Sequence, residues 1–322
     1  MLPGVNGSTS RVNGSLPRVT VLVPTYNRSA LLRRALDSVL GQTYGDFKLL
    51  ISDNASPDDT AAVCESYARA DPRVQYMRQP LNITPVPNFS WLLARADTEF
   101  LLMVADDDWL APDYIERCLA VMDGDRSLAI VTGVNHYDVD DARHHLARNL
   151  DLTESSPSLR VLRYLRGRWS STAFYGLLRT SAVRPALPIA NVMGADWIFI
   201  AAVVFAGRAV TTADTHLNRE QGGASASFKR IAEVSGLSAR AARHPHAAIA
   251  FNQFRDIAFS SAAYASLGRA RRFALGLAGA GAIVAGHPLD VIWDTFGPLI
   301  VHPRVARFTQ PLLDRWRARH PA

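Results

Sequence analysis

At 322 residues the chain is long enough for one large domain, or for one with a smaller attachment. Hydrophobic residues make up 48% and charged residues 20%, the composition of an ordinary soluble globular protein with a formal charge of +6. Two cysteines, Cys64 and Cys118, stand far apart without metal-ligand spacing, which excludes a disulfide framework and makes a reducing compartment, the cytoplasm, the simpler expectation.

Residues 1–16 are rich in Gly, Ser and Asn and read as a flexible tail, without the basic-then-apolar pattern of a secretion signal. The sequons Asn6-Gly7-Ser8 and Asn13-Gly14-Ser15 are read as chance matches on that ground. Residues 19–23 are nearly all apolar and predict a strand buried on both faces, halted by Pro24. Leu31, Leu32, Ala35, Leu36, Val39 and Leu40 recur at helical spacing, with Gly41 as the stop. A second strand is expected over 47–51. Ser56-Pro57-Asp58-Asp59 then predicts a helix start, with a Ser cap, Pro in the first position and acids against the helix dipole. A strand over 74–77, a helix over 88–96, a strand over 100–104 and a helix from Pro112 to about Met122 follow. Such strand-then-helix repetition indicates a parallel sheet covered on both faces.

The middle section is less regular. Strands are expected over 128–132 and 173–178, joined by a polar, His- and Asp-rich connection. A buried helix is expected over 195–206, with closing strands over 208–212 and 215–218. From Ser235 the pattern turns Ala- and Arg-rich and helical, broken at Pro288, Pro298 and Pro303. That segment holds eleven arginines, no lysine and four acids, a net +7 that leaves about −1 for everything before it. It suits docking on an anionic membrane face or an acidic partner, and equally a solvated helical face. No nucleic-acid partner is expected. The longest apolar run, 273–286, is 14 residues and too short to span a bilayer.

Ligands of an open parallel sheet gather beyond the carboxyl ends of its strands, and three such ends are chemically distinctive. Pro24-Thr25-Tyr26-Asn27-Arg28 offers an aromatic ring able to stack on a base, small polar groups and a cation. Asp53-Asn54-Ala55-Ser56 offers a carboxylate able to accept the N–H of a base edge. Asp106-Asp107-Asp108 sets three acids directly after an apolar strand, where mutual repulsion favours a bound cation; hard oxygen ligands suit Mg²⁺ or Mn²⁺. Taken singly, each has a plain structural explanation as a loop, a capping turn or a solvated acidic run. Their joint appearance at successive strand ends favours a nucleotide-diphosphate site.

Residues 21–28 and 38–44 together resemble the opening of the family 2 glycosyltransferases. Asp53-Asn54-Ala55-Ser56-Pro57-Asp58-Asp59-Thr60 resembles that family's D-D-G-S-x-D-x-T turn, and 106–113 its D-x-D segment with the trailing Pro-Asp. The match runs in order through most of 18–125, weakens over 126–220 and ends near 230. The resemblance implies a GT-A type, Rossmann-like, mainly parallel α/β sheet flanked by helices, here with a C-terminal helical extension. The organisation implied is a glycosyltransferase domain over 17–230, with a nucleotide half (17–125) and an acceptor half (126–230), followed by a basic helical extension over 231–322.

It further implies inverting transfer of a hexosyl or deoxyhexosyl group from a nucleotide-diphosphate donor to an acceptor hydroxyl, in cell-surface polysaccharide, glycolipid or natural-product synthesis. By position, Pro24, Thr25, Tyr26, Asn27, Arg28, Asp53 and Asn54 would hold the base and its surroundings. Asp106 and Asp107 would face ribose and diphosphate, and Asp107 or Asp108 would bind Mn²⁺ or Mg²⁺. Asn54 and Ala105 stand where the family often has acids, which leaves the metal register open by one residue. Arg219, with His216 and the 221–225 stretch, would approach the diphosphate. The family also needs a general base; Asp196, opening the 195–206 helix about ninety residues after the acidic run, is the candidate, with Asp214 and Glu220 next.

A sugar nucleotidyltransferase would carry a Gly-rich, basic loop after the first strand, which Pro24-Thr25-Tyr26-Asn27 is not. A glycosidase has no need of a nucleotide site, and a Rossmann dehydrogenase lacks support without G-x-G-x-x-G. A non-catalytic binding domain of the same fold is the remaining alternative, and loss of the acidic run, its expected signature, is not seen.

Overall fold

The structure is a computed structural model, described over residues 17–139, 143–146, 149–167, 171–220, 227–288 and 290–291. The N-terminal tail, Pro298 and Pro303 lie outside the described residues.

Strand β1 (Val19–Thr25) is buried at all positions. It is followed by α1 (Ser29–Leu40), which turns Leu32, Ala35, Leu36 and Val39 inward. Then come β2 (Phe47–Asp53), α2 (Thr60–Ala70), β3 (Val74–Arg78), α3 (Pro85–Leu93) and β4 (Phe100–Met103). The four strands are parallel neighbours in the order β3-β2-β1-β4. Alternation sorts their side chains onto two faces: Leu22, Leu50, Leu101 and Met103 enter one core, and Val21, Val23, Leu49, Ile51 and Leu102 the other.

The second half comprises β5 (Trp109–Leu110), α4 (Tyr114–Gly124), β6 (Leu128–Val139), β7 (Arg143–Leu146), β8 (Asp151–Leu152), α5 (Pro157–Arg166), β9 (Leu177–Arg179), α6 (Thr180–Val183), α7 (Ala195–Ala206) and β10 (Arg208–Arg219). Here the sheet becomes mixed: β9 runs antiparallel between β4 and β6, β10 is parallel to β6, and β5 closes antiparallel on β10. The chain continues through α8 (Phe228–Val234), α9 (Ala239–Arg243), α10 (Pro245–Arg255) and α11 (Arg269–Gly286). The hydroxyls of Ser227 and Ser238 cap α8 and α9. Ile249, Ile257, Tyr264, Leu275 and Ile283 share a core cluster with Phe199 and Val203 of α7, so these helices pack as part of the body. Among the described residues no helix is long and apolar enough to cross a membrane.

Several expected boundaries shift. The two closing strands are one, β10; its register against β6 slips between Thr211 and His216, and the interrupted alternation there divides it in the sequence. The strand expected from Ala173 begins only at Leu177, after a 3₁₀ turn over Ser171–Tyr175. The helix expected at Asn88 starts at Pro85, because first-turn N–H groups need no helical partner and proline is tolerated there. The helix expected to open at Ser56 starts instead at Thr60. Ser56 is not its cap: the Ser56 hydroxyl accepts the Asn27 amide at 2.9 Å, tying the loop after β2 to the loop after β1.

Ala55 in this turn holds φ +61, a left-handed conformation that costs an alanine about 1–2 kcal/mol. Ala55→Gly is expected to raise stability by about 0.5–1 kcal/mol after glycine's greater unfolded-state entropy is deducted. Thermal unfolding reads this as an upward shift of Tm; a fall would mean that the turn needs the methyl group.

Candidate active site

Because β1 lies between β2 and β4, its carboxyl end is flanked by theirs, with Thr25 in register with Asp53. Pro24 and Thr25 are the last residues of β1. Tyr26 follows with 45% of its surface exposed, an open ring at the mouth of the crevice. Asn27 takes φ +55, which Asn tolerates. Asp53 is fully buried. Its Oδ1 accepts the Ser56 amide at 2.8 Å, its Oδ2 accepts the Tyr76 hydroxyl at 3.1 Å, and Arg78 Nη1 stands 3.8 Å away. Asn54 uses both ends of its amide: Nδ2 donates to Asn82 Oδ1 at 3.0 Å and Oδ1 accepts the Ile83 amide at 2.9 Å. An Asp there would lose the first of these bonds, which gives the departure at position 54 a structural role. Asp53 and Asn54 thus brace the rim on which Tyr26 sits.

The three consecutive acids occupy different environments. Asp106 is partly buried, and its Oδ2 accepts the Tyr26 amide at 3.3 Å. Burial, and then the Asp107 charge, push its carboxyl up to about 7. Asp107 keeps 14% of its side chain exposed, with Arg28 Nη1 at 3.5 Å. Asp108 is turned inward, at 2% exposure: Oδ2 accepts from Arg219 Nε at 3.2 Å and Oδ1 accepts the Glu220 amide at 3.1 Å. Burial lifts it to about 6 against the pull of Arg219. Both Asp108 oxygens are therefore engaged by protein, while Asp107 stays partly exposed beside Arg28. Arg219 is likewise buried at 8%, its guanidinium 4.7 Å from the Tyr175 ring, so it holds the acidic turn from within.

Arg34, Tyr175, Tyr76 and Arg78 were not singled out by sequence. The Arg34 guanidinium stacks 3.7 Å from Trp109 and donates to the Asp107 carbonyl at 2.9 Å and to Glu220 at 2.6 Å. An arginine on the face of a short amphipathic helix carries no sequence signal for that role.

Asp196 lies in the first turn of α7, after Gly194 at φ +78. A Cβ on Gly194 would stand 2.7 Å from Ile249 of α10, so this entry to the helix admits only glycine. Asp196 is partly buried, and burial raises its pKa despite nearby backbone amides and Arg219. Tyr175 lies against the Arg219 guanidinium that holds Asp108, and the 3₁₀ turn ending at Tyr175 packs on α7, the helix that Asp196 opens. The other acids lie elsewhere or are occupied. Glu220 is paired with Arg34, Asp214 is exposed at the β10 irregularity beside Thr212, and Asp151 and Glu154 pair with Arg163. Asp140, Asp141 and the side chain of Asp138 fall outside the described residues, as does 221–225. His216 stacks on His136 at 4.5 Å. A separate cleft lined by Asp125, Arg160, Arg179 and Arg208 lies at the starts of β6 and β10, away from these carboxyl ends, and holds none of these groups.

The family model described as Glycosyl transferase family 2 matches residues 20–182, just over half of the chain. The chain belongs to glycosyl transferase family 2. Among curated relatives, a GalNAc(5)-diNAcBac-PP-undecaprenol beta-1,3-glucosyltransferase of Campylobacter jejuni is 35% identical over 96 residues, covering 30% of this chain and 31% of that protein. A chondroitin synthase of Escherichia coli is 33% identical over 121 residues, covering 37% of this chain and 17% of the synthase. The chain therefore matches less than a third of the length of these two relatives. In fold it is similar to S. aureus TarS 1-349 in complex with UDP, with TM-score 0.61 and 17% identity over 92% of this chain and 78% of that one. A Pyrobaculum calidifontis mannosyltransferase in complex with GDP-Man and Mn²⁺ gives TM-score 0.51 and 18% identity over 94% and 86%. At these identities the structures establish the GT-A-like fold, a central sheet flanked by helices with C-terminal helices attached.

The donor set fits a hard divalent cation: all-oxygen, with Asp107 accessible and Asp106 beside it. Mg²⁺ and Mn²⁺ commonly take one or two carboxylates and complete their shells with water and phosphate, which matches a run whose third acid is already engaged. With Asp106 held near 7, a proton competes with the ion. Divalent-cation affinity is therefore expected to rise between pH 6 and pH 8, with about one proton released per ion near pH 6.5. Calorimetric titration with Mn²⁺ in buffers of different ionisation enthalpy counts that proton; a pH-independent affinity would contradict the assignment.

Proposed function

We propose that this family 2 chain is an inverting, metal-assisted glycosyltransferase that carries a hexosyl or deoxyhexosyl group from a nucleoside-diphosphate donor to an acceptor hydroxyl. The observation that carries the reading is the acidic turn after β4, where Arg219 holds Asp108 inward against Tyr175 and Asp107 stays partly exposed. The 3₁₀ turn ending at Tyr175 packs on α7, which opens with the partly buried carboxylate of Asp196. The names of the relatives, a glucosyltransferase and a chondroitin synthase, and of the UDP-bound neighbour support a nucleotide-sugar donor and a role in envelope or polysaccharide synthesis.

In this reading Tyr26 stacks on the base, while Asp53 and Asn54 keep the rim in shape. Asp106 and Asp107 face the ribose and diphosphate. A Mn²⁺ or Mg²⁺ ion at Asp107 would supply charge neutralisation to the departing diphosphate. Arg28, 3.5 Å from Asp107, adds a cation on the same side. Arg219 acts by holding Asp108, and with it the acidic turn. An acceptor hydroxyl is a poor nucleophile until its proton is removed, and Asp196 takes that proton as the new bond forms at the anomeric carbon. Its raised pKa improves its basicity, at the cost of activity in acid.

Asp196→Asn keeps shape and removes basicity. We expect it to bind UDP or GDP nearly as wild type while transfer falls at least about 10²-fold. Near-wild-type transfer by a folded variant would reduce Asp196 to a helix-terminal residue.

We further propose that the basic C-terminal helices carry a peripheral membrane association. Phe251, Phe259 and Phe273 are exposed, the last two packing with Phe254 into one aromatic cluster, and Leu277 is exposed nearby. Arg255, Arg269 and Arg271 are exposed on the same helices and their connection. Apolar rings rimmed by arginine suit an anionic bilayer surface. Co-sedimentation with phosphatidylglycerol vesicles is expected to be salt-sensitive and to weaken severalfold in Phe259→Ser/Phe273→Ser. Binding absent at low salt would assign the patch another cover.

A further inference from the structure

Two histidines and a carboxylate converge where the C-terminal helices meet the start of α7. His246 comes from the first turn of α10, His287 caps the end of α11, and Asp290 follows three residues later. Both imidazoles are buried, at 7% and 6% exposure, and stack with centroids 5.1 Å apart. His287 Nδ1 lies 3.4 Å from Asp290 Oδ2, and one donor atom from each of the three residues falls within 4.8 Å of the others. Phe228 packs edge-on to His246 and Trp197 leans on His287, so an aromatic wall surrounds the cluster.

We propose that His246, His287 and Asp290 form a transition-metal site, of the Zn²⁺ class, that fastens the C-terminal helices to the start of α7. The donor chemistry differs from that of the acidic turn: two imidazole nitrogens and one oxygen suit Zn²⁺, whereas an all-oxygen set suits Mg²⁺ or Mn²⁺. The donor spacing is near what such an ion needs, and rotation of the stacked rings would bring both lone pairs onto it. Tetrahedral bonds of about 2.0–2.1 Å set donor atoms about 3.3 Å apart; the His287–Asp290 pair is already at that spacing, and the widest pair needs to close by up to about 1.5 Å. Three protein ligands leave one position for water. The three ligands join the two ends of the α10–α11 hairpin, and the contact of His287 with Trp197, the residue after Asp196, places the clamp directly behind the acceptor-side helix. Occupancy would then stiffen the frame that carries Asp196 without touching the acidic turn.

The test is titration of metal-stripped full-length chain with Zn²⁺ against a chromophoric chelator, and with Co²⁺ followed by visible absorption. We expect one Zn²⁺ per chain, a rise in Tm on binding, and intense four-coordinate Co²⁺ bands. His246→Gln and His287→Gln should each weaken Zn²⁺ binding at least about 10²-fold, whereas Asp107→Asn should leave it unchanged. Folded variants that bind Zn²⁺ within threefold of wild type would overturn the proposal and leave an ordinary Asp–His hydrogen-bonded pair. If the histidine variants fail to fold, the wild-type Co²⁺ spectrum decides: without four-coordinate bands there is no such site.

Discussion

Asp108 and Arg219 meet at 3.2 Å with almost no solvent around either, and the rest of the site is arranged around that pair. Two charges taken out of water recover their desolvation cost only if their remaining hydrogen-bonding capacity is used. Here the Glu220 amide takes the second Asp108 oxygen, and the Tyr175 ring lies against the guanidinium. Removing either partner would strand the other, typically a loss of about 3–5 kcal/mol. The pair joins the turn after β4 to the end of β10, strands that are not neighbours in the sheet. With Asp108 drawn inward, Asp107 keeps the partly exposed place on the turn, and Arg34 fixes the turn by holding the Asp107 carbonyl and Glu220 together.

The loops after β1 and β2 are fixed by a second network, of short side chains on backbone amides. The Ser56 hydroxyl takes the Asn27 amide, the Thr60 hydroxyl the Arg28 amide, and the Asp58 carboxylate the Ser29 amide. Side chains that follow β2 thus satisfy three successive backbone donors that follow β1, a role for short polar side chains that a regular element would supply internally. The exposed Tyr26 ring is consequently carried on a braced rim, and a braced ring loses less entropy on stacking than one on a free loop.

The sequence discloses the parallel half well, because strands buried on both faces read as continuous apolar runs and α1 has a clean apolar stripe. It discloses the mixed half less well. The slip in β10 between Thr211 and His216 interrupts the alternation that marks a strand, and β9 is only three residues long. Site residues that sit on the consecutive turns were legible as types: Tyr26, Asp53 and the acidic run. What each of them does was not. Nothing in three adjacent aspartates says that the third is paired inward with an arginine more than a hundred residues later, nor that Asp53 spends both oxygens on Ser56 and Tyr76. Those are consequences of tertiary closure. Arg34 and Tyr175 escaped for the same reason, since each acts through a contact distant in sequence.

The environment of Asp196 distinguishes two roles that sequence alone leaves equivalent. An aspartate in the first turn of a helix ordinarily gains from free backbone amides and the positive end of the dipole, and its pKa falls. Amides and Arg219 do act on Asp196 in that direction, yet burial outweighs them and the net shift is upward. A residue selected only to terminate a helix has no reason to be placed where its charge is disfavoured, and α7 begins at a glycine that makes no side-chain cap at all. The helix is instead entered through a left-handed Gly194, a conformation glycine adopts freely, packed against Ile249 of α10. Burial that works against the helix dipole is what the proposed proton abstraction would use, and capping has no need of it.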